Sequence, residues 1–242
     1  MINTRGMDRQ CRRPLSQECP MTFSLIALNR DRRTLGVACA TGGPALGGFV
    51  PHLQPGVGAA VTQGYSTNVM AAERGLARLA DGEPVAAAVA ELRREDRGEA
   101  WRQLALMNGR GEVAGWTGAS NVPVCDLHLE PGLAVAGNML GSREVVPAMI
   151  AAYRQAMASG EALAEALLAA LGAGQRAGGD QRGVVSAALK VRAPGGLPLD
   201  LRIDHSAEAV TALGALHRRL REDHDFQAFL LRLPTGDAPD RH

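Results

Sequence analysis

Four short polar segments stand out against an apolar background, and each lies beside glycine or at the end of an apolar run. They are Thr62–Gln63, Gly137–Leu140, Gly178–Gly183 and Asp200–His205. Binding and catalytic groups tend to lie at strand ends and in the loops that follow them. Taken singly, each segment is better explained as a turn that satisfies its own backbone. Only their convergence in the folded chain would mark a site.

Familiar catalytic and metal-binding signatures are absent from the sequence. It contains no HExxH, no GxSxG, no P-loop and no GxGxxG that opens a helix. The four cysteines form no CxxC pair and no Cys/His cluster with the spacing of zinc ligands. We therefore predict neither a metal nor a cofactor. His217 and His224 fall about two turns apart on a polar C-terminal helix and are expected to face solvent.

Composition narrows the class of protein. The 242 residues fit one domain, and 46% apolar with 21% charged residues is typical of a globular chain. No apolar stretch is long enough to span a membrane, and a net charge of +1 argues against nucleic acid as a partner. Nothing in the cysteine usage requires an oxidising compartment. We predict a bacterial, cytoplasmic protein that acts on a small molecule and forms a homodimer.

The hydrophobic pattern alternates between strands and paired helices. Strands are predicted over Phe23–Leu28, Leu35–Ala40, Val57–Thr62, Leu104–Met107, Val113–Thr117, Leu133–Ala136, Val184–Val191 and Leu199–Asp204. Helices are predicted over about Ser66–Leu79, from Pro84, around Val145–Met157 and Leu163–Leu171, and after Ser206. Residues 42–55 are predicted as a loop, and Asn108–Gly109 as the two-residue turn of a hairpin. Paired helices between strand hairpins fit an α+β fold, and a four-layer αββα sandwich of two largely antiparallel sheets in particular.

The two ends of the chain differ from its middle. Residues 1–20 have no helical or strand period and no apolar core of a secretory signal. They are predicted to be a disordered leader or the product of a mis-assigned start. A single domain is predicted over residues 21–233, and residues 234–242 are predicted to be a frayed tail.

Six segments, in the same order, resemble the family called domain of unknown function 1028. They are Met21–Ala27 with Leu35–Ala38, Pro55–Ala59 with Thr62–Gln63, Gly137–Leu140, Gly178–Asp180 with Arg182–Gly183, Ser186–Leu189, and Asp200–His205. The sequence departs from the family pattern at Thr41–Gly43, at Val185 and in the residues before Met21. That family belongs to the N-terminal-nucleophile (Ntn) hydrolase superfamily. The resemblance therefore implies the same αββα sandwich that the order of elements favours.

The resemblance also implies a set of catalytic residues. Thr22 would be the nucleophile, activated by its own α-amino group, whose pKa is about 7.7–8.0 in model peptides. Asn138 would donate a hydrogen bond to the oxyanion, and Asp180 would hold the Thr22 ammonium group or orient a substrate. Ser24, two residues on, is the reserve nucleophile. On residue type alone, Thr22 is an ordinary strand residue.

Two further residues are expected to contact the substrate. Gln63 would hydrogen-bond it, and Arg182 would clamp a carboxylate with its guanidinium fork. The predicted function is hydrolysis of a C–N bond in a small-molecule amide. The alternative is a catalytically inactive Ntn-like fold that binds a small molecule, as would follow if Thr22 stays internal. A third reading is an interaction role for the basic cluster at His217–Arg219 and Arg221, although such clusters are usually solvated helix faces.

Overall fold

The computed structural model describes residues 22–121, 124–179 and 183–242 of the chain. Within these ranges the protein is a mixed α+β fold with two antiparallel sheets and six α-helices. The predicted α+β class with largely antiparallel sheets is confirmed. The predicted leader over residues 1–20 lies outside the described residues, and so do Asp180 and Arg182.

Ten strands form the two sheets. They are β1 (Thr22–Leu28), β2 (Leu35–Thr41), β3 (Pro51–Gln54), β4 (Gly58–Gly64), β5 (Arg102–Asn108), β6 (Val113–Thr117), β7 (Asp126–Glu130), β8 (Leu133–Asn138), β9 (Ser186–Arg192) and β10 (Leu199–Ile203). The larger sheet has the order β10-β9-β2-β1-β8-β7, and the smaller has the order β3-β4-β5-β6. β1 is therefore a central strand, flanked by β2 and β8.

The described residues form six α-helices, and the first five of them cover the sheets. They are α1 (Val69–Ala80), α2 (Val85–Glu95), α3 (Val145–Ala158), α4 (Leu163–Arg176), α5 (Ala209–Glu222) and α6 (His224–Leu230). Helix α1 begins after Asn68, whose side chain accepts a hydrogen bond from the Ala71 amide at 3.1 Å. In the described part of the chain, no helix combines the length and the apolar character needed to cross a membrane.

Three apolar clusters define the order of the layers. Ile26, Val61 and Met107 belong to a cluster that joins the facing sides of the two sheets. Helices α1 and α2 pack on the outer side of the four-stranded sheet. Helices α3, α4 and α5 pack on the outer side of the six-stranded sheet, against Phe23 and Leu25 of β1. The packing order is thus helices, sheet, sheet, helices.

Cys39 lies in the middle of the layer between the sheets. Its side chain is fully buried among apolar residues. Burial raises the pKa of the thiol to about 12, because the apolar surroundings disfavour a thiolate. Cys39 is therefore a small core residue, as the apolar run around it predicts.

Three elements differ from the sequence prediction. Residues 51–54, predicted as part of a loop, form the edge strand β3, which begins at a proline where an edge strand needs no amide donor. Strand β7 and helix α6 were not predicted. Both are short, and the burial of β7 is interrupted by exposed positions, so neither leaves a strong apolar period.

Two local predictions are corrected. The hairpin of β5 and β6 forms, but its turn runs over residues 109–112, and Gly111 (φ 86°) rather than Gly109 is the left-handed residue. The Asn108 amide donates to the Glu112 carbonyl at 3.0 Å and closes this longer turn. His217 is buried on α5 instead of facing solvent, and burial lowers its pKa. His217 lies one helical turn after Leu213, on the buried face of α5. The polar residues around His217 in the sequence give no indication of this burial.

Candidate functional site

A row of polar side chains crosses one end of the six-stranded sheet. In the strand register, Thr22 lies opposite both Thr41 and Asn138, and Thr41 lies opposite Ser186. Residues that face each other across antiparallel strands point to the same side of the sheet. Ile26, four residues from Thr22, faces the second sheet, so this row faces the second sheet as well. All four side chains are buried.

A second polar row faces the first from the four-stranded sheet. Gln63 on β4 lies opposite Gln103 on β5, and Gln103 lies opposite Thr117 on β6. Val61 and Ala105, two residues from the glutamines, belong to the apolar cluster between the sheets. The layer between the sheets is thus apolar in its middle and polar at the end where β1 begins.

Gln63 connects the two rows at Thr22. Its Nε2 donates to the Thr22 carbonyl at 3.2 Å, and its Oε1 accepts from Ser24 Oγ at 2.6 Å. Thr22 Oγ1 is 3.2 Å from Thr41 Oγ1. The structure therefore brings Thr22, Ser24 and Gln63 together, but Gln63 contacts the main chain of Thr22 and not its hydroxyl.

Gln103 holds Gln63 in place and was missed by the sequence reasoning. Its Oε1 accepts from Gln63 Nε2 at 2.7 Å. Its Nε2 lies 2.8 Å from Thr117 Oγ1, 3.0 Å from the Asp126 carbonyl and 3.1 Å from the Gly137 carbonyl. The signal in the sequence was a glutamine at an inward position of an otherwise apolar strand. One fully buried amide thereby ties together β4, β5, β6, β7 and β8.

Asn138 is the unsatisfied member of the first row. Its side chain is fully buried, and neither Oδ1 nor Nδ2 has a hydrogen-bond partner in the described chain. Leaving such a group unpaired costs about 1–3 kcal/mol. Met139, the next residue, has a left-handed backbone (φ 53°), which is uncommon outside glycine and costs further free energy. The end of β8 therefore carries both an unpaired amide and backbone strain.

The turn after β2 closes the other end of the row. Ser186 Oγ donates to the Gly43 carbonyl at 2.6 Å, and the Gly43 amide lies 3.3 Å from Thr41 Oγ1. Through these contacts the turn borders the row beside Thr41 and Ser186. The Gly179 carbonyl accepts from the Gly141 amide at 3.4 Å, which joins the segment after α4 to the segment after β8.

Thr62 and the whole segment Asp200–His205 do not join the rows, although Gln63, the neighbour of Thr62, does. Thr62 points to the outer side of its sheet, where Oγ1 donates to the Asn68 carbonyl at 3.2 Å. The segment Asp200–His205 lies on the edge strand β10 and just beyond it, with its polar side chains exposed, and Lys190 pairs with Asp200 at 2.8 Å. The polar groups of both are therefore explained by local hydrogen bonds or ion pairs and do not indicate a site. Among the described residues, no cluster of His, Cys, Asp and Glu could hold a metal ion.

An exposed apolar rim borders the polar rows. The rings of Tyr65 and Trp101 lie 5.0 Å apart, and both are more than a third exposed. Tyr65 is two residues beyond Gln63, and the Ser66 amide donates to the Trp101 carbonyl at 3.3 Å. An apolar part of a ligand at the polar rows would therefore find an aromatic surface beside them.

Comparisons with known proteins agree with this architecture. The chain shares 32% sequence identity with the protein SPO2555 from Silicibacter pomeroyi, whose crystal structure is assigned to the family DUF1028. The two structures superpose with a TM-score of 0.83, over 91% of this chain and 98% of that one. No curated protein matches the sequence. The sequence model of the family of unknown function DUF1028 matches residues 22–213, and the chain belongs to that family.

Proposed function

We propose that the protein is an Ntn-type hydrolase that cleaves the C–N bond of a small-molecule amide, with Thr22 as its N-terminal nucleophile. The observation that carries the proposal is the meeting of two buried polar rows around Thr22 at one end of the layer between the sheets. The packing order of helices, sheet, sheet and helices supports an Ntn-like αββα sandwich. The family match, which begins at Thr22, supports that residue as the first of the working domain.

The reaction requires Thr22 to be the first residue of the chain. A peptide bond to Met21 would make its nitrogen an amide, which cannot accept a proton. A free α-amine takes the proton of the Thr22 hydroxyl while the oxygen attacks the substrate carbonyl. The ammonium then delivers that proton to the leaving amine, and the C–N bond breaks. Water hydrolyses the resulting ester and regenerates the threonine.

Asn138 is the proposed oxyanion donor. Its Nδ2 has no hydrogen-bond partner in the described residues, so a substrate oxygen can become the first. A donor of this kind, buried and already in place, contributes about 3–4 kcal/mol to the transition state. The position of Asn138 supports this role, because Asn138 and Thr22 are register partners on adjacent strands.

Gln63 is proposed to position Thr22. Its two N–H groups are used by the Thr22 carbonyl and by Gln103, so it fixes the main chain from which the hydroxyl and the amine project. Arg182 remains the proposed clamp for a substrate carboxylate, and Asp180 the proposed partner of the ammonium. The exposed rings of Tyr65 and Trp101 favour amides with an apolar or aromatic part.

The decisive experiment compares the chain that begins at Thr22 with the full 242-residue chain. Both are assayed against a panel of small amides, and their N-termini are established by intact mass. We expect turnover only when Thr22 is free, none with Thr22→Ala and partial turnover with Thr22→Ser. Thr211→Ala, at an exposed position on α5, is the matched control and should retain full activity. Full activity with the leader attached, or in Thr22→Ala, contradicts the proposal.

The same comparison of the long and the short chain distinguishes the hydrolase from the alternative, an inactive fold that binds a small molecule. The sequence observation in its favour is the stretch of residues before Thr22, which leaves that residue without a free amine if it is retained. Binding of an amide without turnover, in both the long and the short chain, would establish the binding protein. Turnover by the short chain alone would establish the hydrolase.

A further inference from the structure

A cavity of about 470 Å³ lies at the other end of β1, far from the polar rows. It is lined by the turns that join β1 to β2, β5 to β6 and β7 to β8, together with the end of α3. Six residue steps separate Thr22 from Leu28, or about 20 Å at the rise of a β-strand. The cavity is therefore separate from the proposed catalytic site.

The lining of this cavity is strongly basic. It includes four arginines and, among the described residues, a single carboxylate: Arg30, Arg32, Arg110, Arg154 and Glu130. Arg154 pairs with Glu130, which leaves three arginines without an acidic partner in the described chain. A concave surface lined by one sign of charge raises the local concentration of ions of the opposite sign.

The donors of these arginines are mostly free. Arg30 gives one hydrogen bond to the Met157 carbonyl, and Arg32 Nη2 gives one to the Arg110 carbonyl at 3.1 Å. A guanidinium carries five N–H donors, so each keeps several for a ligand. The guanidinium of Arg110 makes no hydrogen bond or ion pair within the described residues.

Tyr153 adds a neutral hydrogen-bond donor to the cavity. The residue is 7% exposed and lines the cavity, and its hydroxyl makes no hydrogen bond in the part of the chain that the structure describes. A ligand in the cavity can therefore accept a hydrogen bond from it. Burial also raises the pKa of Tyr153, so its hydroxyl keeps its proton and can donate it to an acceptor.

Asp31, between Arg30 and Arg32 in the chain, and Glu112, two residues from Arg110, do not line the cavity. Asp31, in the turn between β1 and β2, accepts hydrogen bonds from the amides of Arg33 and Thr34 at 2.8 and 2.9 Å. Its second oxygen accepts from the Thr34 hydroxyl at 2.6 Å. Asp31 thus holds its own turn together and is not among the residues that line the cavity.

We propose that this cavity binds a small organic dianion, either a phosphate monoester or a dicarboxylate. Arg32 and Arg110 hold the negative group with their guanidinium forks, a geometry that fits both carboxylate and phosphate. The hydroxyl of Tyr153 donates to the same group. The apolar part of the ligand lies over Leu28 and Leu133, which also line the cavity.

Calorimetric titration at low ionic strength tests the proposal, with phenyl phosphate and succinate as separate probes. Their relative affinities decide between a phosphate and a dicarboxylate ligand. The double variant Arg32→Gln/Arg110→Gln should weaken binding of the preferred probe by about tenfold or more, because hydrogen bonds to charged groups are lost. The control Arg74→Gln/Arg97→Gln removes the same charge from exposed arginines that do not line the cavity. It should change the affinity less than about twofold.

Tyr153→Phe removes the hydroxyl alone and should lower the affinity about fivefold or more without lowering the melting temperature. Unchanged affinity in the arginine double variant, an equal loss in the control, or no saturable binding of either probe would each overturn the proposal. Binding does not depend on catalysis, so these titrations are repeated in Thr22→Ala. Failure of the hydrolase proposal would leave their outcome unchanged.

Discussion

Asn138 lies directly opposite Thr22 in the pairing of β8 with β1, and its buried amide has no hydrogen-bond partner in the described chain. The fold thus keeps a destabilising group next to the residue that the proposed chemistry requires. Proteins retain such local costs where function needs a polar group that is ready for a ligand. A substitution of Asn138 can therefore raise the stability of the protein while it removes the proposed activity.

Replacing Asn138 with leucine should stabilise the protein while abolishing amide turnover. Leucine has a similar shape and removes two unpaired polar atoms, so the free energy of unfolding should rise by about 1 kcal/mol. Urea denaturation of the chain that begins at Thr22 measures the gain, and the amide assay measures the loss.

Asn121→Leu is the matched control. Asn121 is also buried, but its Nδ2 donates to the Arg102 carbonyl at 2.8 Å, and its Oδ1 accepts from the Tyr65 amide at 2.9 Å. Leucine there should lower the free energy of unfolding by about 2 kcal/mol or more. If both variants lose stability, the amide of Asn138 is satisfied in the folded protein and its role as a free donor is wrong.

Gln103→Met should be strongly destabilising. Methionine fills a similar volume but removes the acceptor of one Gln63 N–H group and the donor to the Thr117 hydroxyl and to two buried carbonyls. We expect a loss of about 2–4 kcal/mol in the free energy of unfolding, measured by urea denaturation. Gln155→Met, at an exposed position on α3, should change it by less than about 0.5 kcal/mol. A similarly small effect at Gln103 would mean that the two glutamines do not act as a connected pair.

Gly64→Ala should perturb the strand that carries Gln63. Gly64 has φ 121°, and a Cβ there would lie 2.5 Å from the Trp101 carbonyl oxygen, which is backbone and cannot move aside cheaply. Gly82→Ala separates the two causes, because Gly82 also has a positive φ (84°) but open space around a Cβ. The melting temperature should fall only modestly for Gly82→Ala and several times further for Gly64→Ala. Equal shifts would show that the conformational cost alone accounts for both.

Asp31 should contribute stability that disappears in acid. Partial burial raises the pKa of this carboxyl, but hydrogen bonds from Thr34, Arg33 and Asn29 outweigh it and lower the value to about 2. A lowered folded-state pKa stabilises the fold above the unfolded value of about 3.9, and this contribution is lost as the pH falls towards about 2.

The difference in unfolding free energy between the wild-type protein and Asp31→Asn should therefore shrink as the pH is lowered through that window. Denaturant titrations at a series of acidic pH values measure this. Asp237→Asn, at an exposed position with no hydrogen bond in the described chain, serves for comparison and should show a constant difference. A difference of constant size at Asp31 would show that the turn does not depend on the ionised carboxylate.

The sequence predicts the long apolar elements well, because β1, β2 and the paired helices carry clear periods. It also singles out Gln63 and Asn138, since each is a polar residue at the end of an apolar run. That both lie beside Thr22 is expected only from the family resemblance, because it depends on the pairing of β1 with β8 across more than a hundred residues and on the contact of Gln63 with the Thr22 carbonyl. Gln103 was missed for a related reason: only the facing sheet shows what its amide can reach. Asp180 and Arg182 remain predictions.

The buried thiol of Cys39 can report transient separation of the two sheets. Its thiol is fully buried there, whereas Cys125 is exposed, and these are the two cysteines of a chain that begins at Thr22. A thiol reagent should therefore label Cys125 at once and reach Cys39 only when the two sheets part. The rate of the slow labelling phase would report how often the sheets separate. A ligand bound between the polar rows should lower that rate.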